Sequence, residues 1–273
     1  LRPIAIIHCV AQTHKGIIWK HNHIMSQSLG AFLQCYKNPY ATFKCLESFR
    51  RFYPDSTIVL LSDNSYYYSE MAKYFNCVYI HSTRSISLEC QRLDNDAQIA
   101  HMKKLIKRVT DAYKLCSEDY VMWLEDDIII NSKITDTFKY DMNGCCPEQI
   151  NGNGIYERFV DDNPIIDKDR IYLRNGHGGT VFHKNNIIKY FENDKVVNRL
   201  LEKYNYYSFP WNQDFLFSVI TVLNGGSIGP YDGHADGIDY RVNPALCVQH
   251  QYKLYYGVNP PDFIQHMITP FNT

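Results

Sequence analysis

Three consecutive carboxylates, Glu125-Asp126-Asp127, follow directly on the apolar run Tyr120–Leu124 (YVMWL). Ionised carboxylates crowded together repel and raise one another's pKa, so a cation among them removes a conflict that nothing else in the run resolves. If the strand period continues into the triplet, Glu125 and Asp127 face one side and Asp126 the other. One face can then hold a metal while the other hydrogen-bonds a second group. Oxygen donors suit Mg²⁺ or Mn²⁺ better than zinc. A solvated acidic turn is the plain alternative. The apolar strand and its α/β surroundings weigh against it, because open α/β sheets bind ligands at the carboxyl ends of their strands.

A second stretch with chemical potential is Gly176-His177-Gly178-Gly179-Thr180. Its glycines allow a backbone to come close to a bound ligand, with Gly178 and Gly179 as the contact points. The stretch lacks the strand-then-helix setting of a nucleotide phosphate loop, and a plain glycine turn is the alternative reading. Trp211 and Tyr207, with Tyr206 beside them, offer flat amphipathic faces for an acceptor, or equally the packing of a core. No GxSxG elbow and no HExxH zinc motif is present.

These residues need elements to position them. Apolar, β-branched runs predict strands at Pro3–Val10, Ala31–Tyr36, Thr57–Leu61, Cys77–Ile80 and Tyr120–Leu124. Residues 11–28 read as loop. Apolar spacings of three and four predict helices over Ala41–Phe52, Ser69–Phe75 and Asp94–Cys116. The last carries a stripe of Ile99, Met102, Ile106, Val109, Tyr113 and Cys116. This β-α-β-α-β order points to parallel strands covered by helices. In the second half, Asp141–Asp169 reads as a long loop. Short strands are expected at Ile171–Leu173, Thr180–Phe182 and Ala245–Val248, and helices at Asn185–Tyr204 and Trp211–Leu223. Gly225–Asp239 reads as turns.

Composition narrows the classes. The 273 residues hold 28 basic against 29 acidic side chains, so no basic excess points to nucleic acid. The apolar share of 45% and charged share of 21% are those of a chain that buries a sizeable core. Nine cysteines without CxxC or regular spacing support neither a zinc site nor a disulfide framework, and point to a reducing, cytoplasmic setting. No apolar run approaches the length of a membrane span. The chain opens on Leu1, as a trimmed product would.

Four segments resemble the GT-A glycosyltransferases, especially those like glycosyltransferase family 2. NPYATFKCLESFRRFYP looks like the first family helix, followed by a strand ending in an acid, here LLSD. YVMWLEDD looks like the family's metal-binding "DxD" strand. WNQD looks like the late acidic motif, and VQHQYK like the segment that gives a last metal or phosphate ligand. The resemblance covers most of the first half and is patchy afterwards. Glu125 stands where Asp is more usual, and Gln213 where an acid is common.

The resemblance implies an α/β, Rossmann-like GT-A fold with a central, mainly parallel sheet flanked by helices. It implies one domain over 1–273, with a nucleotide-binding half to about residue 130 and an acceptor-binding half after it. Asp127 would bind Mn²⁺ or Mg²⁺, with Glu125 supporting it and His250 completing the shell. Asp126 would reach the ribose or a metal-bound water, and Asp63 the base or ribose of a nucleotide-sugar, UDP-linked by prior expectation. Tyr36 and Asn38 would lie in the nucleotide loop, Tyr36 stacking on the base, and Lys253 would touch the diphosphate. Asp214 would be the base that activates a glycan hydroxyl in an inverting transfer. Each has a plainer alternative: Asp63 a helix cap, Asp214 a first-turn acid at the positive helix end, Tyr36 core packing, His250 a structural imidazole. The Asn-, Tyr- and Ile-rich style is that of a large-DNA-virus protein, which would act in host cytoplasm. A metal-dependent phosphoesterase or nucleotide hydrolase uses similar carboxylates, and a carbohydrate-binding module with a structural cation uses similar aromatics.

Overall fold

The structure is a computed structural model. It describes residues 27–35, 37–63, 66–83, 94–144, 154–166, 177–207, 209 and 211–270, with the paired segments 12–13, 16–17, 148–149 and 172–173. The strand expected at Pro3–Val10 lies outside the described residues.

The first half alternates strand and helix: β1 (Leu29–Cys35), α1 (Pro39–Phe52), β2 (Ile58–Asp63), α2 (Ser69–Tyr74), β3 (Val78–Ser82), α3 (Asn95–Lys114) and β4 (Tyr120–Leu124). Pro39 opens α1 and does not break it, since the first helical position has no N–H to lose. Asp94 caps α3, accepting from Ala97 N at 2.9 Å. The Arg50 guanidinium, at the end of α1, donates to the carbonyls of Tyr53, Pro54, Ser56, Phe75 and Asn76 and so ties α1 to the turn before β3.

The remainder is β5 (Ile129–Ile130), β6 (Met142–Gly144), α4 (Gly154–Asp162), β7 (Val181–His183), α5 (Lys184–Phe191), α6 (Asp194–Glu202), α7 (Gln213–Leu223), β8 (Ile228–Pro230), β9 (His234–Asp239), β10 (Val248–Tyr252) and α8 (Asp262–Gln265). Here the structure corrects the sequence reading. The loop expected over 141–169 contains β6 and α4. The helix expected over 185–204 is two, because Asn193 caps a new start by accepting from Val196 N at 3.4 Å. The turns expected over 225–239 contain β8 and β9, and the last strand lies three residues later than expected.

Seven strands from both halves form one sheet in the order β8-β6-β7-β4-β1-β2-β3. β4, β1, β2 and β3 run parallel, β8 pairs parallel with β6, and β7 is antiparallel to both its neighbours. Alternation splits the strand residues between two cores. Phe32, Val59, Leu61, Val121, Trp123 and Phe182 pack under α3, α5 and α7, with the α3 stripe against them. Ala31, Leu33, Ile58, Leu60, Met122 and Leu124 pack under α1 and α2. A second, three-stranded sheet in the order β9-β10-β5 stands beside the end of β4. Among the described residues no helix is long and apolar enough to cross a membrane.

Candidate active site

The parallel strands fix where the chemistry collects. Leu124 pairs beside Leu33, Cys35 beside Ser62, and Asp63 beside Ser82, so β4, β1, β2 and β3 end along one edge. The triplet leaves the sheet at this edge and turns at once, Ile128 N donating to Glu125 O at 3.2 Å. The predicted division of faces holds. Glu125 and Asp127 turn toward His250 on β10, while Asp126 Oδ2 accepts from Asn38 Nδ2 at 2.7 Å.

Each group in the cluster is held from outside it. Trp123 Nε1 donates to Glu125 Oε1 at 2.9 Å, and His250 Nε2 lies 3.1 Å from Glu125 Oε2 and 3.7 Å from Asp127 Oδ1. Asp127 Oδ2 is paired with the Lys253 ammonium. Asp127 Oδ1 is buried and has no hydrogen-bond partner among the described residues. One donor atom from each of Glu125, Asp127 and His250 falls within 4.8 Å of the other two. Two carboxylate oxygens and an imidazole nitrogen are a donor set for a divalent cation, and a buried carboxylate oxygen without a donor is what such an ion satisfies.

The charges agree. Burial and the neighbouring Asp127 and Glu125 carboxylates push Asp126 up to about 7, against the bond from Asn38 and the charge of Lys253. Burial also pushes Glu125 up, but bonds and charge from His250, with Trp123 and His177, outweigh it and leave the carboxyl below its usual range. Burial opposes the charged form of His250. Asp236, Glu125 and Asp127 overcome that and raise the imidazolium to about 10. His250 and Lys253 are thus the basic groups that face the carboxylates of the cluster.

The C-terminal segment reaches the triplet through an unusual backbone. Gln251 has φ of 59°, in the left-handed region that side chains other than glycine enter rarely. The turn it makes lets Tyr252 N donate to Asp127 O at 2.8 Å and Lys253 N to Asp239 O at 2.8 Å. Glycine matters at two adjacent positions. A Cβ on Gly178 would stand 2.7 Å from both His250 Cδ2 and Ile128 Cδ1. Gly179, with φ of +87°, would drive one into the ring of His234. The close approach these glycines permit is thus to histidines of the protein itself.

Other expected site residues have definite places. Asn38 spends its side chain on Asp126 and on Gly257 N, 3.2 Å away, and makes no side-chain cap for α1. Asp63 caps no helix: β2 runs through it, and its buried carboxylate lies 3.2 Å from Arg108 Nη1 and accepts from Gln34 Nε2 at 3.2 Å. It ends two strands from the triplet, roughly 10 Å by strand spacing. Asp214 is half-buried in the first turn of α7, whose cap is Asn212, accepting from Phe215 N at 3.0 Å. Tyr36 lies outside the described residues. The acceptor platform is corrected. Trp211 is 5% and Tyr207 3% exposed, Trp211 Nε1 donating to Asn205 Oδ1 at 2.8 Å and Tyr207 OH to Asp162 Oδ2 at 3.0 Å. Their ring faces are closed by Tyr204, Phe159 and Phe209, which is core packing.

Asp236, Trp123 and the buried pair His177 and His234 escaped the sequence reading as site residues. Asp236 Oδ1 lies 2.9 Å from His250 Nδ1, and the ring of His177 stands 5.2 Å from that of His250 and 5.5 Å from that of His234. Only the parallel register that sets Asp236 opposite His250 brings the first of these in.

No protein-family model matches the chain, and no curated protein sequence matches it. Solved structures do. The galactosyltransferase LgtC in complex with donor and acceptor sugar analogues superposes with a TM-score of 0.50 at 12% identity, over 87% of this chain and 99% of that one. An active-site mutant of LgtC gives 0.52 at 11% over the same shares. Mouse xyloside xylosyltransferase 1 superposes more loosely, with a TM-score of 0.46 at 11% identity over 82% of this chain and 97% of that one. The mostly parallel sheet, its flanking helices and these superpositions together give the chain the GT-A fold.

Proposed function

We propose that the chain is a metal-dependent glycosyltransferase that moves a sugar from a nucleotide-sugar, UDP-linked, to a glycan hydroxyl. The observation that carries this reading is the convergence of Glu125, Asp127 and His250, with an orphaned buried Asp127 oxygen, at the carboxyl edge of a GT-A sheet. LgtC, solved with donor and acceptor sugar analogues, supports the substrate class.

In this reading Glu125, Asp127 and His250 hold Mn²⁺ or Mg²⁺. Such an ion supplies Lewis-acid stabilisation of the charge that builds on a departing diphosphate. The chain's own residues do the rest. Lys253, which pairs with Asp127 at the edge of the cluster, would serve the diphosphate as its cationic partner. Asp126, anchored by Asn38 on the other face, takes the ribose, and Asp63 with Arg108 borders the base. Gly178 and Gly179 line the sugar's side of the cluster. Asp214 takes the acceptor proton as the hydroxyl attacks in line, and that direct displacement inverts the anomeric centre. Residues to about 130 serve the donor and the later ones the acceptor.

A panel of UDP- and GDP-sugars with Mn²⁺ tests the proposal. Metal-dependent release of nucleoside diphosphate supports the transferase. Nucleoside monophosphate would mean a hydrolase, and sugar binding without release a binding module. Asp214→Asn should abolish transfer and spare nucleotide binding. Near-normal turnover, or retained anomeric configuration in the product, removes Asp214 from the chemistry without touching the metal reading.

A further inference from the structure

The geometry points to Asp236 as the positioning residue that fixes His250 in the tautomer and orientation a cation at the Glu125–Asp127 cluster requires. This inference rests on the cation reading of that cluster and deepens it.

An imidazole can ligate a metal through Nε2 only if that nitrogen is bare, which puts the remaining proton on Nδ1. Asp236 Oδ1 lies 2.9 Å from His250 Nδ1, while Nε2 faces Glu125 and Asp127. The two atoms are in ion-pair contact without the angle of a hydrogen bond, so the carboxylate acts on the ring by its charge: it favours the proton on Nδ1 and makes Nε2 a better donor. The rest of the environment is arranged around the same carboxylate. Gln251 Nε2 donates to Asp236 Oδ1 at 2.9 Å from the residue with left-handed φ, and His177 Nε2 lies 3.7 Å from Asp236 Oδ2. Gly178 leaves room for the His250 ring on the opposite side.

A merely structural ion pair between two strands explains less. β9 and β10 are already joined through His234↔Val248, Ala235↔Gln249 and Asp236↔His250. The two residues after Asp236 on β9 point away from any core: Gly237 has open space around it, and Ile238 is 69% exposed. Among the described residues the Asp236 side chain contacts His250, its neighbour Gln251, and His177, all of them at the cluster.

The test titrates Mn²⁺ alone into the full chain, following free Mn²⁺ by electron paramagnetic resonance. Wild type is compared with Asp127→Asn, Asp236→Asn, Asp236→Ala and Asp236→Glu, each checked for native circular dichroism. The expected result is loss of binding in Asp127→Asn and about 10–100-fold weaker binding in Asp236→Asn and Asp236→Ala. Asp236→Glu should recover part of the affinity. In the Mg²⁺-loaded wild type, imidazole ¹⁵N shifts should report His250 protonated at Nδ1, and that preference should be lost in Asp236→Ala. Should the alanine variant fail to fold, the isosteric Asp236→Asn decides. Undiminished affinity in Asp236→Asn, with Asp127→Asn abolished, overturns the role of Asp236 and leaves the cation site standing. Wild type that binds no Mn²⁺ overturns both.

Discussion

Two regions meet at the carboxylate cluster, and they are built in opposite ways. The edge of the parallel sheet delivers Glu125, Asp126 and Asp127 from a regular apolar strand whose every position past Tyr120 is buried. The β9–β10 sheet delivers His250, Lys253 and Asp236 from short strands with an irregular register and a left-handed Gln251. The first is rigid because its backbone is paired on both sides and packed on both faces. The second is paired along shorter strands, β10 between β9 and β5, and is bonded to the first through Tyr252 N to Asp127 O at 2.8 Å. The site joins a regular acidic edge to a strap of irregular register that carries the left-handed Gln251.

Substitutions on either side of the cluster should have the largest effects. Asp127→Asn and His250→Ala should each lower metal-dependent nucleoside-diphosphate release by about 10²–10³-fold or more, as loss of one preorganised electrostatic group does. Equal losses from edge and strap sharpen the account, and a His250→Ala enzyme with near-full turnover breaks it. Next in size is Gly178→Ala, whose Cβ would be squeezed between His250 and Ile128. Overpacking of this kind costs about 1–3 kcal/mol, so the variant should melt lower and bind Mn²⁺ more weakly. Gly237→Ala, with nothing within 4 Å, should do neither.

A smaller effect concerns pH. The folded chain raises Asp126 from 3.8 to about 7 and His250 from 6.5 to about 10. For Asp126 the folded state binds the extra proton, so stability falls as pH rises from the ordinary carboxylate range through 7. For His250 the gain is fully present below 6.5 and is lost as pH rises through 10. In EDTA the melting temperature should therefore fall between pH 7 and 10, and His250→Gln should flatten that slope; an unchanged slope contradicts it. Smallest is Tyr207→Phe, which removes the bond to Asp162 far from the strap. It should cost about 1 kcal/mol and leave the acceptor KM alone; a raised KM would return Tyr207 to the acceptor site.

What the sequence made legible follows the same division. β1, β2, α3 and β4 are long enough for period 2 or 3.6 to declare itself, and their buried residues are the expected ones. β6, β8 and β9 are short and poor in apolar residues, and are strands because distant partners pair with them, which no local pattern reveals. The break between α5 and α6 was hidden for another reason. Apolar spacing continues across it, and only Asn193 as a cap marks the new start. At the site, the triplet was legible as a local run of charge, and His250 as an imidazole after an apolar run. Asp236 was not, because its meaning depends on one parallel pairing. Trp211 and Tyr207 were visible as aromatics, yet ring type alone does not tell a sugar platform from a core.

The most direct test of the central claim is a crystal soaked with UDP and Mn²⁺, read at the manganese absorption edge. One anomalous peak is expected within coordination distance of Glu125, Asp127 and His250, with the UDP diphosphate on its open side and Lys253 turned from Asp127 to a phosphate oxygen. Manganese bound elsewhere, or UDP bound with Lys253 still on Asp127 and no peak in the cluster, would contradict it.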